Sequence, residues 1–129
     1  MRIAGLDHFV MTVASIAATR KFYCDVLGME DIVFGSQERR ALGFANCKIN
    51  LHEVGHEFSP RARHAVAGSA DICLIVDDLE AALTRLAAFG VPVELGPVPR
   101  TGANGSINSI YIRDPDDNLI ELGQYEEGC

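Results

Sequence analysis

Apolar and polar positions fall into two successive series with the same order of periods. The first opens on His8–Val13, a run of β-branched and apolar residues that predicts a strand. Ser15 then stands where a helix N-cap belongs. Ile16, Phe22, Tyr23, Val26 and Leu27 recur at roughly helical spacing until Gly28 supplies a stop. Three short extended stretches follow, at 30–34, 40–45 and 48–53, with Gly35 and Asn46 marking the turns. The second series begins with a strand at 71–76. Asp77 or Asp78 can cap a helix whose apolar face is Leu79, Ala82, Leu83, Leu86 and Ala87, and Gly90 ends it. Extended stretches are predicted at 92–95, 107–113 and 118–124. Between the last two, Asp114-Pro115-Asp116-Asp117-Asn118 is turn chemistry, because Asp and Asn tolerate tight local geometry and Pro presets its φ.

Each series therefore reads strand, helix, strand, strand, strand. A four-stranded sheet with one helix on it has a second face that must be buried or must enclose something. The predicted fold is α+β: two βαβββ modules forming a cupped mixed β-sheet with helices outside. The modules are residues 1–57 and 68–126 of one 129-residue domain, joined by a linker at 58–67. Around that linker the periodicity breaks, with Pro60, several charges, and His56 and His64 as surface residues. The Gly- and Pro-rich stretch from Gly96 to Ser106 has no counterpart of similar length in the first series and is predicted to be a shaped surface loop.

Composition narrows the function classes. A formal charge of −7 argues against a nucleic-acid partner, since phosphate binding needs a basic face. No stretch has the apolar length of a membrane span, and the N-terminal residues lack the apolar core of a signal peptide, so the expected compartment is the cytoplasm. Cys24, Cys47, Cys73 and Cys129 form no Cys-x-x-Cys pair and are expected to be free thiols.

Aligning the two series brings polar residues together. His8 falls on Asp71, with Val13 on Val76 and Ile16 on Leu79; aligning the ends of the two series puts His52 on Glu121. Two imidazoles and two carboxylates at matching strand positions suit a divalent cation held between the halves. A mixed nitrogen–oxygen set favours Zn, Ni, Co, Fe or Mn over Ca. The plainer readings stand beside this one: a strand histidine that is merely hydrogen-bonded, Asp71 as a cap on the turn Gly68-Ser69-Ala70, and Glu121 as the polar member of an alternating strand. Arg100 suits either an anionic substrate group, through a bidentate guanidinium, or a salt bridge that pins its loop.

Leu6-Asp7-His8-Phe9-Val10-Met11-Thr12-Val13, then Phe22-Tyr23 and Leu27-Gly28-Met29, resembles the opening module of the vicinal-oxygen-chelate superfamily of glyoxalase I, bleomycin-resistance proteins and extradiol dioxygenases. Arg113-Asp114-Pro115-Asp116 with Asn118-Leu119-Ile120-Glu121 resembles its closing strand pair. Asn50-Leu51-His52-Glu53-Val54-Gly55 and the run from Gly96 to Ala103 are similar to the group of glyoxalase domain-containing protein 5 and its bacterial relatives. The resemblance implies a metal in a cup formed by the modules, with ligands at His8, His52 and Glu121. Asp71 and His52 depart from the residues usual in glyoxalase I.

The function so implied is a metal-dependent lyase or isomerase acting on a small vicinal-oxygen or thiol-adduct substrate through an enediolate, with Glu121 as base and Arg100 orienting an anionic portion. The alternatives are a non-catalytic small-molecule binding protein of the bleomycin-resistance type and an Fe(II) extradiol-type dioxygenase. A homodimer is expected.

Overall fold

The computed structural model describes residues 1–126. The chain divides into two compact units, Met1–Ser69 and a second that begins at Ala70. Both have the predicted βαβββ order. The first holds β1 (His8–Val13), α1 (Ile16–Arg20, continued by a π-helical stretch Lys21–Val26), β2 (Glu30–Phe34), β3 (Arg39–Phe44) and β4 (Cys47–Glu53). The second holds β5 (Asp71–Ile75), α2 (Leu79–Ala88), β6 (Leu95–Gly102), β7 (Gly105–Arg113) and β8 (Leu119–Tyr125).

Each unit builds its own mixed sheet, in the order β1-β4-β3-β2 and β5-β8-β7-β6. The first and last strands of a unit are parallel neighbours, and the remaining pairs are antiparallel. The connection from first strand to last is long enough for a helix, which is what a parallel pair requires.

The helices begin alike. Ser15 Oγ accepts from the Ala18 amide, and Asp78 Oδ1 accepts from the Ala81 amide, so each satisfies one of the otherwise unpaired N–H groups of a first turn. The last strand of each unit adds a second acceptor. Glu53 Oε2 takes the Ile16 amide at 2.9 Å and Gln124 Oε1 takes the Leu79 amide at 2.7 Å. Gly28 and Gly90, both at positive φ, follow the helices as predicted.

These contacts identify the helix-bearing face of each sheet. In the first unit it carries Met11, Val13, Leu42, Ile49 and Leu51, and in the second Ile110, Ile112, Ile120 and Leu122, all buried. Strand alternation sends the intervening residues to the opposite face.

The stretch Gly96–Ser106 is a correction to the sequence reading. It is no irregular loop, but most of β6 and the start of β7, paired from Val98↔Ser109 to Gly102↔Gly105. Its Gly and Pro content masks a strand because the register shifts between Leu95 and Val98, and Gly96 sits there at φ +109. The turn Asp114–Asn118 forms as predicted: Asp114 Oδ1 accepts from the amides of Asp116 and Asn118. Among the described residues no helix is long and apolar enough to cross a membrane. Cys24, Cys47 and Cys73 are free thiols, while Cys129 lies outside the described residues.

Candidate functional site: the helix-free faces of the two sheets

Register decides which polar residues are neighbours. In the first unit His8 lies opposite Lys48, and His52 lies opposite Thr12, four steps along the same strand pair. All four belong to the helix-free face. At a rise of ~3.3 Å per residue, His8 and His52 are ~13 Å apart along the strands, whereas ligands of one ion place donor atoms about 2.0–2.2 Å from it.

In the second unit Asp71 lies opposite Leu119, and Glu121 opposite Cys73. Asp71 and Glu121 are thus diagonal neighbours on one face, close enough for their side chains to meet. The same diagonal drawn in the first unit joins His8 to Asn50 and passes over His52.

The alignment of His52 with Glu121 is therefore corrected. The two helix-start contacts equate Glu53 with Gln124, which sets Asn50 on Glu121 and His52 on Gly123. Asn50 escaped sequence reading because it is uncharged. The available signal was the pairing of Glu53 and Gln124, two polar residues of like shape on the apolar side of their strands.

The expected residues have distinct surroundings. His8 is half exposed, and its Nδ1 is 2.7 Å from Asp7 Oδ2. With that proton donated to a carboxylate, a neutral ring presents its Nε2 lone pair, the arrangement that prepares a histidine for a metal. Asp71 is not the cap of the preceding turn: Ser69 Oγ donates to the Val66 carbonyl there, and the Ala70 amide donates to Asn118 Oδ1. Glu121 Oε2 accepts a 2.6 Å hydrogen bond from Ser109, and Glu121 is also hydrogen-bonded to Cys73. Burial, then the Glu121 charge, push the Cys73 thiol up to about 11. Arg100 Nε donates to the Tyr111 hydroxyl at 2.9 Å and its Nη1 donates to the Pro99 carbonyl. Arg113, rather than Arg100, makes the carboxylate pair of this sheet, with Glu94.

His52 is 2% exposed and belongs to a cluster that sequence reading missed. Arg39 Nη2 lies 3.1 Å from its Nε2. The Arg39 guanidinium stands over the Phe58 ring at 4.4 Å and the Phe34 ring at 5.4 Å, and Phe58 meets His52 edge-on at 5.5 Å. Lys48 Nζ lies 3.5 Å from the Phe34 centroid. Burial, followed by the Arg39 charge, holds the His52 pKa below its ordinary value. The signal for this cluster was alternation: Lys48, Asn50 and His52 share one face at every second position.

Two buried polar atoms on that face lack a hydrogen-bond partner, Asn50 Oδ1 and His52 Nδ1; so does Arg39 Nε beside them. A buried polar group left unmatched costs roughly 1–3 kcal/mol. Among the described residues, no group of three or more His, Cys, Asp or Glu side chains is arranged to hold a metal ion.

Comparison with known proteins places these faces in context. The Glyoxalase/Bleomycin resistance protein/Dioxygenase superfamily matches residues 5–122. Virulence protein STM3117 of Salmonella typhimurium is 47% identical over 126 residues, covering 97% of this chain and 87% of that protein. Glyoxalase domain-containing protein RDO1 of Mycosarcoma maydis is 46% identical over 128 residues, covering 98% and 72% respectively. The solved structure of integron cassette protein VCH_CASS1, from the mobile metagenome of V. cholerae, is 50% identical with a TM-score of 0.94 over 98% of each chain.

Proposed function

We propose, for a chain that belongs to the Glyoxalase/Bleomycin resistance protein/Dioxygenase superfamily, that it binds a small organic molecule on the helix-free side of its sheets and does not transform it. The observation that carries this reading is the pair of unmatched buried atoms on β4, Asn50 Oδ1 and His52 Nδ1. A native structure pairs such atoms with protein, water or ligand. Their place on the side away from the helix suits a ligand, because residues there are not used to pack the module's own core.

The test is a thermal-shift screen of the purified protein against small organic molecules with one to three polar groups. A binder present at 100 times its Kd stabilises the folded state by about 2.7 kcal/mol. Asn50→Leu should abolish that shift. A screen in which no compound stabilises the protein, or in which Asn50→Leu responds like the wild type, would sink the proposal.

The second reading is the metal-dependent lyase. It is favoured by one observation, the diagonal placement of Asp71 and Glu121 on one face. In the first unit His52 Nε2 is engaged by the Arg39 cation, so that nitrogen is not offered to an ion. Within the second unit, Asp71 and Glu121 are the donors that would hold a divalent Zn, Ni, Co, Fe or Mn; within the first, the candidate donor is His8 Nε2. Such an ion supplies positive charge to a pair of vicinal oxygens. Glu121, positioned by the Ser109 hydroxyl, is the group of this chain that would take a proton from carbon. Arg100, fixed against Tyr111, would face an anionic portion of the substrate.

The dioxygenase reading is weaker, since it needs two imidazoles and a carboxylate on one Fe(II). Divalent metal that stabilises the wild type but not Glu121→Gln favours the lyase over the binder. The metal-loaded protein would then be assayed with the methylglyoxal–glutathione adduct. Membership of the glyoxalase domain-containing group and a homodimeric state belong to the same proposal; light scattering at micromolar concentration checks the dimer.

A further inference from the structure

The hydrogen bond between Arg39 and His52 fixes a proton. A guanidinium can only donate, so Nε2 of His52 accepts, and the neutral ring carries its hydrogen on Nδ1. That Nδ1–H is buried and has no acceptor, and the same is true of the Arg39 Nε–H. Two unmatched groups of this cluster are thus donors and lack an oxygen, while Asn50 Oδ1 on the same face of β4 is an unmatched acceptor that a separate N–H or O–H would serve. The charges that act on the ring are Arg39, Glu57 and Arg61, two guanidinium groups against one carboxylate. A surplus of positive charge beside unfilled N–H donors selects an anionic oxygen over a neutral carbonyl, and it repels a cation. Phe58 and Phe34 hold the Arg39 plane by cation–π contact and give the cluster apolar walls.

We infer that His52 Nδ1–H and Arg39 form a subsite in the first module for the oxyanion of a small organic acid, whose apolar body lies against Phe58. This rests on the small-molecule-binding reading and names its ligand class. Carboxylate and phosphonate share the required chemistry. The site draws only on residues of the first unit, and it uses His52 as a hydrogen-bond donor, a role incompatible with metal ligation through Nδ1.

The test uses the full chain labelled with 15N-histidine and long-range 1H–15N spectra, which report the protonation of each ring nitrogen. The free protein should show His52 protonated on Nδ1 and not on Nε2. Benzoate and phenylphosphonate are titrated in parallel with benzyl alcohol. The expected result is a saturable shift of His52 Nδ1 with at least one anion, and no saturable shift with benzyl alcohol. Which anion binds more tightly distinguishes the two sources. Arg39→Met should weaken the anion at least tenfold, and Arg61→Ala, outside the stacked cluster, should weaken it by a smaller factor. Should Arg39→Met fail to fold, Arg39→Lys replaces it, keeping the charge and losing the stacked plane.

Anion affinity unchanged in the folded Arg39 variant would overturn the subsite, as would a His52 protonated on Nε2, or benzyl alcohol binding as tightly as benzoate. Neither anion shifting His52, while another compound stabilises the protein in the thermal screen, would overturn the subsite alone. Failure of the whole screen removes the binding reading beneath it.

Discussion

Asn50 holds in β4 the position that Glu121 holds in β8. Glu53 and Gln124, three residues further along, make the same hydrogen bond to the first residue of their helices, Ile16 and Leu79. The repeat is therefore anchored at the helix start, and the polar residues on the other face follow from strand alternation.

That anchor is measurable. Glu53→Ala and Gln124→Ala each leave a first-turn amide without its acceptor, and each should cost about 1 kcal/mol in urea unfolding. Equal losses within a few tenths of a kcal/mol are expected from equivalent positions. A loss confined to one of them would mean the two contacts are not equivalent.

Gly96 is irreplaceable for a different reason. Its φ of +109 is unfavourable for any side chain, and a Cβ there would run into the carbonyl oxygen of Ser109 on the paired strand. Gly96→Ala should destabilise by about 2–4 kcal/mol, combining backbone strain with a steric clash. A cost under 0.5 kcal/mol in equilibrium unfolding would contradict the β6–β7 register.

His52 makes stability depend on pH. Burial and the Arg39 charge lower its pKa in the folded state, so below the ordinary histidine value of about 6.5 the unfolded chain binds more protons than the native one. The native state then loses stability as pH falls from the unfolded value toward the folded one, and the contribution is fully present above about pH 6.5. His52→Gln should flatten the stability profile through that window. Unfolding curves at several pH values that are parallel for wild type and variant would refute this.

Cys73 should be a slow nucleophile despite lying in an exposed residue. Its thiol, raised to about 11 by burial and then by Glu121, is almost wholly protonated at pH 8. Iodoacetamide should modify it on the order of 10-fold more slowly than an ordinary exposed cysteine. Glu121→Gln should speed the reaction by removing the neighbouring charge. Mass spectrometry of the alkylated peptide gives both rates, and a faster reaction in the wild type would show that Glu121 activates the thiol instead.

What the sequence determined by itself was local. Period-two and helical spacing, the caps at Ser15 and Asp78, the stops at Gly28 and Gly90 and the turn Asp114–Asn118 are all interactions between residues close in the chain, so the two βαβββ series were legible from it. Where local preference was ambiguous, as in the Gly- and Pro-rich β6, the strand was hidden, because pairing with β7 supplies the energy that its own residues do not. The site needed more. His8, Asp71 and Glu121 stood out as candidates by residue type, but a parallel pair can be drawn in several registers, and a shift of two residues keeps every side chain on the same face. Only the tertiary structure chose among them. It set His8 opposite Lys48, matched Asn50 to Glu121, and gave His52 to Arg39, because those positions are decided by hydrogen bonds between strands far apart in the chain.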